Sequence, residues 1–188
     1  CTPFDEVSVQ KIIELNFDLI KIASCSAADW PLIDAVAGSG LPIIASTGGL
    51  EISQIDELVS FLRHRACDFA LMHCVSIYPT PTEDCNLSSI STLKRRYKDI
   101  PIGWSTHEDQ DDAMPIAVAR ALGAKLFERH IGLETPDIRL NAYSSTPTQA
   151  EKWYQSYLKT ETLLGVPDRS NIKVEERDAI SGLKRGVF

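Results

Sequence analysis

Ile100-Pro101-Ile102-Gly103-Trp104-Ser105-Thr106-His107 and Lys125-Leu126-Phe127-Glu128-Arg129-His130-Ile131 are the two stretches that decide how this chain folds. Each is a short apolar run closing on the same pattern, a polar residue, any residue, then histidine. Side chains two apart on a β-strand share a face, so Ser105 lies on the side of His107 and Glu128 on the side of His130. Neighbouring parallel strands run about 4.8 Å apart. If these two are neighbours, both imidazoles come within reach of one cation, which makes His107 and His130 candidate metal ligands.

Working outward, β-rich runs at 19–24, 42–47 and 69–74 join those at 100–106 and 125–131, with helical periods between them. The clearest helix covers 51–65, with Ile52, Ile55, Leu58, Val59 and Leu62 on one face, and another is expected over 5–15. Gly123 and Gly165 follow helical patterns as C-caps. Thr146, Pro147 and Gln149 combine a capping box with proline at the first helical position. Strand then helix, repeated, predicts an α/β fold with a parallel sheet.

A (β/α) barrel is favoured over a doubly wound sheet. Polar groups recur at the C-terminal end of every expected strand: Ser24, then Ser46 and Thr47, then Ser76 with Tyr78, then Ser105 with His107, then Glu128 with His130. An open sheet concentrates its site at one switch point, whereas a barrel gathers all its strand ends around one mouth. A complete barrel needs eight strands and typically about 250 residues. Five strands in 188 residues predict a partial (β/α)8 TIM-type barrel, one domain over 1–188.

Composition narrows the function classes. A net charge of −7 and the lack of any Lys/Arg-rich run argue against nucleic acid and anionic membranes as partners. No apolar run approaches the ~18 residues of a membrane span. Five cysteines without a C-x-x-C pair fit reduced thiols and a cytoplasmic location, and are read as spectators. The sequence opens on Cys1 rather than Met, without a charged segment before an apolar stretch, and reads as part of something longer.

Several motifs carry a resemblance. Thr2-Pro3-Phe4-Asp5, Lys21-Ile22-Ala23-Ser24, Ser46-Thr47-Gly48, His73-Cys74-Val75-Ser76 running into Tyr78-Pro79-Thr80-Pro81, Ser105-x-His107 and Glu128-Arg129-His130 stand in the order and approximate spacing of the N-acetylneuraminate synthase (sialic acid synthase) family. The family folds as a (β/α)8 barrel, usually followed by a small antifreeze-like domain, and this chain resembles its strands four to eight.

The resemblance implies condensation of phosphoenolpyruvate (PEP) with an N-acetylated amino sugar such as N-acetylmannosamine, giving a nine-carbon 2-keto sugar acid such as N-acetylneuraminate. It further implies a divalent metal, manganese, on His107 and His130. Lys21, Ser24, Ser46, Ser76 and Ser105 match PEP-binding positions, Glu128 a carboxylate beside the metal, and Tyr78 and Asp137 positions contacting the amino sugar. The full-length protein is expected to be a homodimer in which the second domain lends an arginine to the partner's site; the present chain alone is expected to be inactive. Where the family usually has Ser-Asp-His this chain has Thr106, and the loop after His130 is shorter than usual, with Thr135-Pro136-Asp137 for Gly-Pro-Asp.

Two alternatives stay open: another PEP-dependent 3-deoxy sugar acid synthase, and a non-catalytic barrel fragment serving as a binding module. Lys21 sits among apolar neighbours, where an unpaired charge is costly, so a partner or ligand is expected there. The serines serve equally as helix caps. His64 and His73 read as structural, and Glu108, Asp109, Asp111 and Asp112 as a solvated cap at a helix N-terminus.

Overall fold

Five parallel strands follow one another across a single sheet in chain order: β1 (Ile20–Ile22), β2 (Ile43–Ser46), β3 (Phe69–Cys74), β4 (Ile102–Thr106) and β5 (Leu126–Arg129). They come from a computed structural model, which describes residues 1–166, 170, 172–183 and 185–186. Helices α1 (Glu6–Glu14), α2 (Trp30–Gly38), α3 (Ile52–His64), α4 (Ser88–Arg96) and α5 (Met114–Ala121) alternate with the strands, and α6 (Pro147–Leu164) and α7 (Val174–Ser181) follow β5. In register, Ser105 faces Glu128 and Thr106 faces Arg129, which is the adjacency that brings the two histidine-bearing segments together.

The period of two divides each strand between two environments. Ile20, Ile22, Ile43, Ala45, Phe69, Leu71, Ile102 and Trp104 point to the helices and pack with Val9, Ile33, Leu58, Leu62 and Ile90 in one apolar core. Fully burying each large aliphatic side chain stabilises the fold by about 1.5–3 kcal/mol. The intervening residues face the other way. Lys21 on β1 and Glu128 on β5 lie at opposite ends of the strand order, yet Lys21 Nζ is 3.2 Å from Glu128 Oε2. Four strand spacings in a flat sheet would separate their backbones by about 19 Å, beyond the reach of two such side chains. The sheet therefore curls into a half-barrel, the partial TIM-type architecture expected.

Local signals account for the element ends. Asp5 caps α1, its carboxylate accepting from Ser8 N at 2.6 Å. Thr146 and Gln149 close a reciprocal capping box at the start of α6, and Gly123 takes the positive φ of +99° just beyond α5. β3 has the expected bounds, whereas β1 is shorter because Ser24 turns into a 3-10 helix, Ser24–Ser26. The five cysteines are free thiols. Among the described residues no helix is long and apolar enough to cross a membrane.

One expectation is corrected. Glu108 is not part of a solvated cap: it is buried, and its carboxylate pairs with Arg129 on the helix-facing side of β5. Its neighbours behave as expected. Asp109 Oδ1 accepts from Asp111 N at 2.8 Å and Asp112 Oδ1 from Met114 N at 2.9 Å.

Candidate active site

At the C-terminal ends of the strands the half-barrel encloses a cavity of about 710 Å³. The strand period sends Lys21, Ser46, Cys74, Ser105 and Glu128 into it, and the segments just beyond the strands add Ser24, Ser76, Tyr78, His107 and His130. Nine of the ten expected site residues therefore line one cavity. Asp137 is the exception: it is exposed in the loop after β5 and does not line the cavity.

The two imidazoles face each other with ring centroids 5.3 Å apart. His107 Nδ1 is 3.1 Å from the Val75 carbonyl. A carbonyl only accepts, so Nδ1 carries the proton and the Nε2 lone pair is left free. Burial pushes the His107 pKa below the usual imidazole value, which holds the ring in the neutral form a metal requires. Among the described residues no three His, Cys, Asp or Glu side chains gather around one point, and the two imidazoles are the candidate donors that face each other at the mouth. This donor set fits a borderline divalent ion that keeps several positions for water or a substrate oxygen.

Lys21 and Glu128 approach as an ion pair without hydrogen-bond geometry; Glu128 Oε2 has no hydrogen-bond partner, and neither does the buried Ser46 Oγ. Thr106 Oγ1, Glu108 Oε2 and Trp153 Nε1 are also without a partner, but Ser46 and Glu128 are the ones on residues that line the cavity, where a polar occupant would satisfy them. Ser24 does double duty: its Oγ accepts from Gly48 N at 3.0 Å while lining the cavity. A Cβ on Gly48 would lie 2.8 Å from Ser24 Oγ, 3.1 Å from Cys74 Sγ and closer still to Ser76 Oγ, so glycine preserves the space between the serines.

Behind the mouth, Arg129 ties several segments together. It pairs with Glu108, donates from Nε to Ser145 Oγ at 2.5 Å and from Nη2 to the Asp109 carbonyl at 3.2 Å, and lies 5.6 Å from the Trp153 ring centroid. His73 is structural, as expected, with Nε2 2.9 Å from the Cys85 carbonyl.

Sequence reasoning missed four lining residues that now count. Gly48 stood inside the Ser46-Thr47-Gly48 motif, where its role as a spacer was legible in principle. Cys25 and Cys74 line the cavity rather than standing apart from it. Tyr143, in a loop with no periodic signal, packs its ring 5.1 Å from that of His130 and 5.8 Å from that of His107.

A curled parallel sheet with a cavity lined by polar and aromatic side chains at its strand C-termini places the protein in the (β/α)-barrel class, whose sites lie at that face. Phospho-2-dehydro-3-deoxyheptonate aldolase of Thermotoga maritima shares this fold with a TM-score of 0.72 at 18% identity, over 88% of this chain and 51% of that one. The chain belongs to the NeuB family, whose profile matches residues 1–168.

Its relatives include an uncharacterized protein of Methanocaldococcus jannaschii (37% identity, 99% of this chain and 55% of that protein). Human N-acetylneuraminate-9-phosphate synthase is 32% identical over 91% of this chain and 47% of its own length. N,N'-diacetyllegionaminic acid synthase of Legionella pneumophila is 30% identical over 87% and 47%. A candidate spore coat polysaccharide biosynthesis protein E of Chromobacterium violaceum superposes with a TM-score of 0.94 at 43% identity, over 99% of this chain and 55% of that one. The chain spans about half the length of the curated relatives it matches.

Proposed function

We propose that this barrel serves the condensation of PEP with an N-acetylated amino sugar aldehyde, N-acetylmannosamine or a relative. In that reaction C3 of PEP bonds to the aldehyde carbon, water adds at C2, and inorganic phosphate leaves to give a nine-carbon 2-keto sugar acid. The observation that carries the proposal is the convergence of one lysine, four serines, a carboxylate and two facing imidazoles at a single mouth. Relatives named as synthases of N-acetylneuraminate 9-phosphate and of diacetyllegionaminic acid support it.

Each residue then has a task matched to its chemistry. PEP brings a carboxylate and a phosphate, which require a cation and several donors; Lys21 supplies the charge and Ser24, Ser46, Ser76 and Ser105 the hydroxyls. Glu128, with an unpartnered oxygen, orients the water that adds at C2 and accepts its proton. His107 and His130 would hold a divalent metal, manganese in the family resemblance, which supplies Lewis-acid polarisation of the aldehyde oxygen. Tyr78 lies on the acceptor side, its ring 4.3 Å from that of His107. In the same reading the whole protein is a cytoplasmic homodimer.

The test is a Mn²⁺ titration of the folded chain followed by electron paramagnetic resonance, with and without PEP, beside His107→Ala and His130→Ala. Stoichiometric binding that both variants lose and PEP tightens is the expected result. A folded parent that binds neither Mn²⁺ nor PEP would overturn the proposal and favour the non-catalytic binding module.

A further inference from the structure

The cavity lining is of two kinds. Lys21 and the serine hydroxyls give it hydrogen-bonding and cationic character, and Tyr78, His107, His130 and Tyr143 form a cluster of rings in mutual contact. Of these rings, Tyr143 alone has no task in the reading above. It stands edge-on to both imidazoles, with interplanar angles of 86° to His107 and 87° to His130, and its centroid is 5.2 Å from that of Tyr78.

Its position is built into the fold although it sits in a loop. Two residues on, Ser145 N donates to the His130 carbonyl at 2.9 Å, Gly132 N donates to the Ser145 carbonyl at 3.0 Å, and Arg129 holds the Ser145 hydroxyl. The next residue, Thr146, is the N-cap of α6. The loop is thus tied to β5 and to a helix start at the point where it presents Tyr143 to the mouth. Such anchoring lowers the ordering cost of binding against the ring.

Ring faces, the negative part of the aromatic quadrupole, favour flat, weakly polar groups and apolar methyls over phosphate or carboxylate. Among the described lining residues Lys21 is the sole Lys or Arg, and its ammonium lies 3.2 Å from Glu128 on β5. Lys21 and the hydroxyls thus suit the anionic substrate, and the rings the neutral acceptor. On an N-acetylated amino sugar the acetamido group is the part that is both flat and methyl-bearing.

We propose that Tyr143 is a specificity-determining residue that reads the acetamido group of the acceptor, its ring and the adjoining ring of Tyr78 together forming the wall against which that group packs. This rests on the condensation reading and deepens it by naming a residue on the acceptor side.

The experiment is saturation-transfer NMR on the folded chain with N-acetylmannosamine and, separately, mannose, with PEP followed by ³¹P line broadening. The acetamido methyl is expected to show the strongest saturation. Tyr143→Ala should lose that signal and bind N-acetylmannosamine about tenfold more weakly, leaving PEP unchanged, while Tyr143→Phe retains it. Lys21→Gln should do the reverse, losing PEP and keeping the methyl signal. An undiminished methyl signal in Tyr143→Ala overturns the inference while leaving the condensation reading standing. Should Tyr143→Ala fail to fold, the nuclear Overhauser contact between the methyl and the Tyr143 ring in the unaltered chain decides instead, and its absence overturns the inference. If neither PEP nor the amino sugar binds the parent, the condensation reading fails and the inference falls with it.

Discussion

Glu128 and Arg129 are consecutive on β5, face opposite ways, and form ion pairs of opposite character. Arg129 and Glu108 are each 2% exposed, and the guanidinium also holds a serine hydroxyl and a backbone carbonyl. Lys21 and Glu128 are 19% and 37% exposed and meet at 3.2 Å without hydrogen-bond geometry. One oxygen of each carboxylate, Glu108 Oε2 and Glu128 Oε2, has no hydrogen-bond partner, so exposure and pairing, not that oxygen, set the two pairs apart. Within one strand, the face toward the helices is sealed by a pair that fastens the segment after His107 to β5, while the face toward the cavity holds charge that a ligand can take up. Burial decides the difference: a charge removed from water must keep its partner, whereas a half-exposed one can exchange it.

The largest effect should follow from breaking the sealed pair. Arg129→Met leaves Glu108 buried without its counter-ion, and should cost about 3–5 kcal/mol in urea unfolding. Replacing both residues, Glu108→Leu with Arg129→Met, should recover most of that loss. A single-variant cost below about 1 kcal/mol would break the comparison.

Crowding the open side comes next. Gly48→Ala introduces a Cβ 2.8 Å from Ser24 Oγ, so the serines must rotate away; the expected cost is about 1–3 kcal/mol, together with weaker PEP binding by calorimetry. Lys21→Met should change stability by no more than about 1 kcal/mol, because its pair is partly solvated. The same variant should weaken PEP at least tenfold, since a hydrogen bond to a charged group contributes about 1.5–3 kcal/mol. A stability loss as large as that of Arg129→Met would place Lys21 with the structural charges instead.

The smallest expected effect is on pH dependence. Burial lowers the His73 pKa below the usual 6.5, so the unfolded chain takes up the proton first on acidification. Its contribution to stability is complete above pH 6.5 and declines as pH falls toward the lowered folded value. His73→Gln should flatten that part of the stability–pH curve, as read from urea midpoints across pH 5–7, while the share due to the buried His107 remains.

Much of this was legible in the residues. The alternation of short apolar runs with 3.6-residue periods, the capping boxes and the glycine stops are local, because they depend on residues a few positions apart that form their own turns and caps. The pairing of Ser105 with Glu128 and of His107 with His130 followed from a period of two and an assumed adjacency, and β4 and β5 are indeed adjacent. The family motifs likewise stand in the sequence as they stand at the mouth.

What depended on closure was not legible. Glu108 looked like one more acid at a helix start, and only the meeting of the β4 end with Arg129 on β5 shows it to be buried. Tyr143 belongs to no period, and Asp137, six residues earlier in the same loop, stays outside the cavity that Tyr143 enters. The Lys21–Glu128 contact exists because the sheet curls until its first and last strands face each other. Sequence by itself determined which residues could be strand, helix, cap and cavity face, since short-range geometry sets those. The tertiary structure alone decided which distant charges meet and which loop residue reaches the mouth, because that depends on how far the whole sheet bends.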